Sequence, residues 1–172
     1  MLIGAVDTGC DFRVLVRQHQ VMVFSIALHF LRDRATAEEV AQEVFFSLHR
    51  NLHQIESPAH AAAWLRKVAV QRAIDEGRRR SRRPQVALED VAEPAAGGKP
   101  GDPLLSELLR KLVATLPEGP RMVMVLRYQE DLEPAEIAAA LEMPVATVKS
   151  HLQRSLAMLR GKLARRGIGE SG

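Results

Sequence analysis

Apolar side chains recur along this 172-residue chain at three- and four-residue intervals, interrupted by short polar or proline-bearing stretches. Residues 11–31 are densely apolar without strict alternation and the run breaks at Arg32, Asp33 and Arg34, which predicts one long helix followed by a turn. Thr36 and Glu39 then form the T-x-x-E pattern of a capping box, and Val40, Val44, Leu48 and Leu52 recur every fourth residue, as one buried stripe of a helix requires. Ser57 before Pro58 fits an N-cap with proline at the first helical position, opening a third helix through Trp64, Leu65, Val68 and Ile74. Trp64, in register with Val68, is expected to anchor the core. These three helices predict a small bundle.

The periodicity stops at residues 84–103, PQVALEDVAEPAAGGKPGDP, where four prolines and three glycines stand among small and acidic residues. This reads as a linker between a first module, residues 11–83, and a second, residues 104–166. In the second module, residues 104–116 and 121–128 predict two helices separated by LPEGP. Residues 134–141 follow as a short helix with the small Ala138 where two helices approach, then a turn Glu142-Met143-Pro144, then an amphipathic helix from Val145. That is the spacing of a helix-turn-helix, whose second helix reaches base edges with side chains near its N-terminus. Those side chains are Val145, Ala146, Thr147, Lys149, Ser150 and His151, with Gln153 and Arg154 one turn on, while Val148, Leu152 and Leu156 face inward. Helix–turn–helix spacing also occurs in ordinary bundles. The absence of any Asp or Glu over residues 144–166 is what tilts this one towards nucleic acid.

Composition sharpens the class. Aromatics are only 4% and Ala, Leu, Arg and Glu dominate, so the expected fold is all-α with no sheet. Net charge is only +3, but it is unevenly spread: residues 1–83 carry 13 basic and 9 acidic side chains, residues 84–103 carry 1 and 4, and residues 104–172 carry 10 and 8. The arginines of the first module gather at its end, Arg78, Arg79, Arg80, Arg82 and Arg83, where a positive field meets phosphate or merely complements a helix dipole.

Two stretches carry a family resemblance. AEEVAQEVFFSLHRNL with AAWLRKVAVQRAIDEGRRR resembles the second conserved region of extracytoplasmic-function sigma factors, and LPEGPRMVMVLRYQEDLEPAEIAAALEMPVATVKSHLQRSLAMLR resembles their fourth. The resemblance implies a promoter-specificity factor that joins the core of bacterial RNA polymerase, through its β′ and β subunits, to promoter DNA, with an anti-sigma factor as a further partner. It implies that Asp33, Glu38, Glu39, Gln42 and Glu43 dock on the basic coiled coil of β′, opposite charge steering the association. It implies that the third helix and the loop before it hold the minus-ten element, a base being flipped from the stack, with His60, Arg66, Lys67, Gln71, Arg72, Arg78 and Arg79 as the contacting residues. The eight residues named on the last helix would read the minus-thirty-five element. The chain departs from the family pattern at Ala61 (commonly aromatic), Gln71 (commonly asparagine), Glu142 (commonly glycine) and His151 (often arginine).

Other classes find less support. A Gly-rich phosphate loop, an H-E-x-x-H pair and a nucleophile motif are all absent, so no catalytic residue, cofactor, metal or small-molecule substrate is expected. His49 and His53 have the spacing of a metal pair but lack an evident third ligand. Cys10 is the sole cysteine, the start lacks a secretory pattern, and the apolar residues 21–31 are shorter than the ~20 needed to span a bilayer. The cytoplasm is therefore the expected compartment, without membrane insertion. The serious rival is a free-standing helix-turn-helix regulator, which predicts a dimer across a symmetric operator and leaves the first module unexplained.

Overall fold

A computed structural model describes residues 10–83 and 103–168. Among the described residues the chain is all helix, as expected: α1 (Phe12–Leu31), α2 (Arg34–Asn51), a single 3-10 turn (Leu52–Gln54), α3 (Pro58–Ser81), α4 (Pro103–Ala114), α5 (Glu118–Tyr128), α6 (Pro134–Leu141) and α7 (Val145–Arg165). It divides into two compact units, Met1–Arg80 and Ser81–Gly172. The expected linker lies outside the described residues except for Pro103, which starts α4.

In the first unit, Asp11 caps α1 by accepting the Arg13 N–H at 2.8 Å. The helix ends where Arg32 turns left-handed (φ 56°) and its N–H reaches the Leu28 carbonyl. Its 20 residues give it the length and composition to cross a membrane, so length does not exclude a span as the sequence reading supposed. The face it buries, Leu15, Val23, Ile26, Ala27 and Phe30, makes it a core helix of this unit.

The capping box expected at Thr36 and Glu39 is not formed. Arg32 and Asp33 alone make the turn, α2 has already begun at Arg34, and the Thr36 hydroxyl donates instead to the Asp33 carboxylate. Ala37, Val40, Val44 and Leu48 are buried as the spacing requires, whereas Leu52 sits half-buried in the 3-10 turn.

Ser57 does cap α3, its hydroxyl accepting the His60 N–H at 3.0 Å. The helix buries Ala61, Leu65, Ala69, Val70 and Ala73. Trp64 and Val68 are only half-buried, so the core register runs through Leu65 and not through Trp64. Gly77 lets the end of α3 close on α1, since a Cβ there would stand 3.0 Å from the Phe30 ring. Fully buried Leu15, Ile26, Leu48 and Leu65 each contribute about 1.5–3 kcal/mol by leaving water.

In the second unit, α5 begins at Glu118, so the Gly and Pro of LPEGP lie inside its first turn and do not form a connector. It buries Met122, Val123, Met124, Val125 and Leu126. Leu112 and Leu116 pack with Met124 and with Leu159 of α7, and half-buried Leu152, Leu156 and Leu163 extend that cluster.

The sequence reading missed the capping box of α6, because Glu133 takes the place of the usual Ser or Thr. The Glu133 side chain accepts from the backbone at Glu136, and the Glu133 N–H donates to Glu136 Oε2 at 2.9 Å. Arg127 adds a clamp on the same corner, donating to the Leu132 carbonyl (3.0 Å) and Glu133 Oε1 (3.2 Å).

The helix-turn-helix has the expected bounds. Glu142 is left-handed at φ 53°, a conformation that costs a non-glycine residue ~1 kcal/mol. Met143 N–H returns to the Ala138 carbonyl, and Thr147 N–H to that of Pro144, so both sides of the turn are satisfied.

Candidate nucleic-acid interface

The core of the second unit fixes which way α7 faces. Val148, Ser155 and Leu159 are buried, so Ala146, Ser150 and Gln153, following at helical spacing, point away from it. Val145, Ala146, Lys149, Gln153 and Arg154 are exposed. Thr147, Ser150 and His151 are half-buried. His151 lies on the flank next to α5, its Nε2 only 3.8 Å from where a Cβ on Gly119 would stand. The structure therefore gathers most of the candidate α7 residues on one acid-free face and sets His151 at its edge.

The candidate residues of α3 separate into two groups. His60, Lys67, Gln71 and Arg78 recur along one line of the helix opposite the buried stripe, and Trp64 stands on the same line. His60 is oriented by the loop before the helix, its Nδ1 accepting the Glu56 N–H at 3.1 Å, which leaves Nε2 as its remaining polar atom.

Arg66, Arg72 and Arg79 lie off that line. Arg66 turns towards α1, where its charge, after burial itself, depresses the pKa of His19 below 6.5. Its Nε and His19 Nε2 are both buried without a hydrogen-bond partner among the described residues. Arg72 turns to α2 and stands 3.9 Å from Glu43. Arg79 pairs with Glu76 at 2.9 Å. The hydrogen bond and charge of Glu76, and then the charges of Glu43 and Glu39, hold its pKa above the ordinary value.

On α2, Glu38, Glu39, Gln42 and Glu43 are exposed together, with Glu38 paired to Arg34 at 3.1 Å. Asp33 does not join them. It is half-buried, accepts the Thr36 hydroxyl and stands 3.5 Å from Arg80. Phe46, one turn beyond Gln42 and Glu43, is 63% exposed and was not among the sequence-derived candidates. Its ring extends the exposed stripe of Glu38, Glu39, Gln42 and Glu43 along α2.

Among the described residues, no cluster of three or more His, Cys, Asp or Glu side chains is arranged to hold a metal ion. His49 instead makes an edge-on ring contact with Phe12.

Comparison with known proteins is specific. The Sigma-70 region 2 family matches residues 15–83 and the Sigma-70, region 4 family matches residues 106–159. The ECF RNA polymerase sigma-E factor of Escherichia coli K12 is 30% identical over 165 residues, covering 88% of this chain and 86% of that protein. The probable RNA polymerase sigma factor RfaY of Xanthomonas campestris pv. campestris is 29% identical over 170 residues, and although 92% of this chain is covered, the match spans 42% of that longer protein. In fold, the chain resembles CnrH, solved in complex with the cytosolic domain of CnrY, with a TM-score of 0.65 at 23% identity over 90% of this chain and 88% of that one.

Proposed function

The chain belongs to the sigma-70 family as an RNA polymerase sigma factor of the extracytoplasmic-function class, acting in transcription initiation, and from that premise we propose how its faces share the task. The exposed stripe of α2, Glu38, Glu39, Gln42 and Glu43 with Phe46, docks on the basic coiled coil of the β′ subunit. The line His60, Trp64, Lys67, Gln71 and Arg78 of α3 engages the minus-ten element, and Arg66, Arg72 and Arg79 shape its surroundings. The outward face of α7, Val145, Ala146, Thr147, Lys149, Ser150, Gln153 and Arg154 with His151 at its flank, reads the minus-thirty-five element. Asp33 is part of the scaffold under α2.

The observation that carries this division is the opposition of charge between faces: an exposed acidic stripe on α2, and an α7 whose residues 144–166 include no carboxylate. Opposite-sign surfaces orient a protein partner and a phosphate backbone respectively. Trp64 supports the minus-ten reading as well, since a half-exposed indole on a polar helix line offers a stacking surface for an unpaired base.

The mechanism is non-catalytic. Polymerase holds both units near their DNA sites at high effective concentration, so that weak contacts add. An anti-sigma factor is the further partner of this reading. CnrH, of similar fold, is solved in complex with the cytosolic domain of CnrY, which supports a second protein partner for such a chain. The working compartment is the cytoplasm.

Run-off transcription with bacterial core polymerase on a pooled library of promoter fragments from the source genome tests the reading. New discrete transcripts that require the protein are expected. No gain in initiation and no complex with the core would replace this reading with that of a free-standing regulator.

A further inference from the structure

Leu15, His19, Val23, Ile26 and Phe30 follow one another at helical spacing on α1, and all but His19 are apolar and buried. His19 is half-buried, and its Nε2 lies inside the unit without a hydrogen-bond partner among the described residues. Arg66 of α3 turns its Nε inward in the same condition, and its charge acts on His19. The other charged groups of the three helices are engaged elsewhere or stand in water. On α1, Arg13 and Arg17 are exposed. On α2, Glu38 pairs with Arg34, Glu43 faces Arg72, and Glu39 is exposed. On α3, Arg79 pairs with Glu76. No carboxylate therefore meets His19 Nε2 to receive a proton there.

Protonation would add a second cation beside Arg66 and a donor with nothing to accept it, both unfavourable away from water. The flexible arginine is the group able to leave. Ala59 and Ala63, both exposed, lie between Arg66 and the line of His60, Lys67 and Gln71, and their small side chains leave its path open. We propose that His19 is a positioning residue for Arg66: a neutral imidazole lets the guanidinium stay folded towards α1, and protonation drives it out over Ala59 and Ala63 to add a charge to the nucleic-acid face of α3. The inference rests on the assignment of α3 to DNA. The coupling is reciprocal, so phosphate that draws Arg66 outwards eases protonation of His19 by the same factor. For groups in partial contact with water the factor is about two- to fivefold.

Heteronuclear NMR of the full chain follows the His19 ring and the Arg66 Nε–H from about pH 7.5 to about pH 5. Loss of solvent protection at the Arg66 Nε–H is expected to track the titration of His19 and to be absent from His19→Gln. Arg66→Gln reads the same coupling without altering the α1 stripe, and His19 should titrate at higher pH in that variant than in wild type. Affinity for a fluorescent single-stranded oligonucleotide of mixed sequence is then measured on the complex with core polymerase. Acidification is expected to tighten binding by wild type about two- to fivefold more than by His19→Gln, and Arg66→Gln to abolish that difference.

The proposal is overturned by an Arg66 signal that stays constant while His19 titrates, by a His19 that remains neutral over the whole range, or by a His19-dependent gain that survives in Arg66→Gln. Lys67→Ala isolates the underlying assignment. Undiminished strand affinity in that variant removes DNA from α3 and overturns the nucleic-acid half of the proposal, whatever the Arg66 signal does. Weakened binding by Lys67→Ala, together with equal pH responses in wild type and His19→Gln, shows that it is the positioning that fails.

Discussion

Arg80 Nη2 stands 3.5 Å from Asp33 Oδ2, and Arg80 Nη1 donates to the Leu31 carbonyl at 3.4 Å, so the end of α3 grips both sides of the α1–α2 turn. Both side chains of the pair are more than two-thirds shielded from water. Arg80→Ala is therefore expected to destabilise the first unit by about 1 kcal/mol. Urea unfolding followed by Trp64, the chain's single tryptophan, reports that unit directly. A midpoint equal to that of wild type would mean that the contact contributes nothing.

Glu142 carries a left-handed backbone at the turn before α7. Glu142→Gly relieves that cost and loses part of the gain to the greater freedom of glycine in the unfolded chain, leaving an expected stabilisation of up to about 0.5 kcal/mol. Unfolding of the second unit, followed by its sole tyrosine, Tyr128, gives the measurement. Loss of stability in this variant would show that the Glu142 side chain contributes more than its conformation costs.

Lys149 and Arg154 are exposed on the α7 face, whereas His151 is turned towards Gly119. Lys149→Ala and Arg154→Ala are expected each to reduce the salt dependence of promoter binding by the polymerase complex, by ~0.9 in log–log slope. His151→Ala, at the edge of that face, should leave the slope unchanged. Slopes unaltered in the first two variants would remove those side chains from the phosphate contacts.

His19 gives the first unit a pH dependence. Burial, and then the charge of Arg66, lower its pKa below 6.5, so the unfolded chain takes up the proton first. This contribution to stability is complete above pH 6.5, declines as pH falls below that value, and levels off once the folded state is protonated too. His19→Gln should flatten the decline in urea titrations followed by Trp64. Parallel profiles for variant and wild type would assign the acid sensitivity to other groups.

Much of the second unit was legible in its residues because its signals are local. Pro134 begins α6 and Pro144 leads into α7, each by its own backbone preference, and the bounds of α6 and α7 follow. The Ser57-Pro58 start of α3 was readable for the same reason. The start of α2 was not, since a left-handed Arg32 and an Asp33 held by Arg80 depend on a helix end some fifty residues away. The core register of α3 was likewise hidden. Trp64 with Val68 and Leu65 with Ala69 have the same spacing, and only the packing of α3 on its neighbours selects the second.

The candidate faces divide in the same way. Spacing places Lys149, Gln153 and Arg154 on one side of α7 without further information. It does not disclose that Arg66 turns to α1 and Arg72 to α2, nor that Phe46 is left in water, because each outcome is set by a side chain on another part of the chain or by the lack of one.

Only two residues, Arg32 and Asp33, separate α1 from α2. The contacts between these helices are thus close along the chain, with little loop entropy to overcome, and form early. During synthesis the pair emerges first, as a hairpin able to collapse while α3 is still being made. α3 then arrives last, and its closure, through Gly77 against Phe30 and Arg80 against Asp33, completes the helix proposed to meet DNA. The order of manufacture leaves a nascent first unit with its acidic helix shaped before the surface proposed to meet DNA exists.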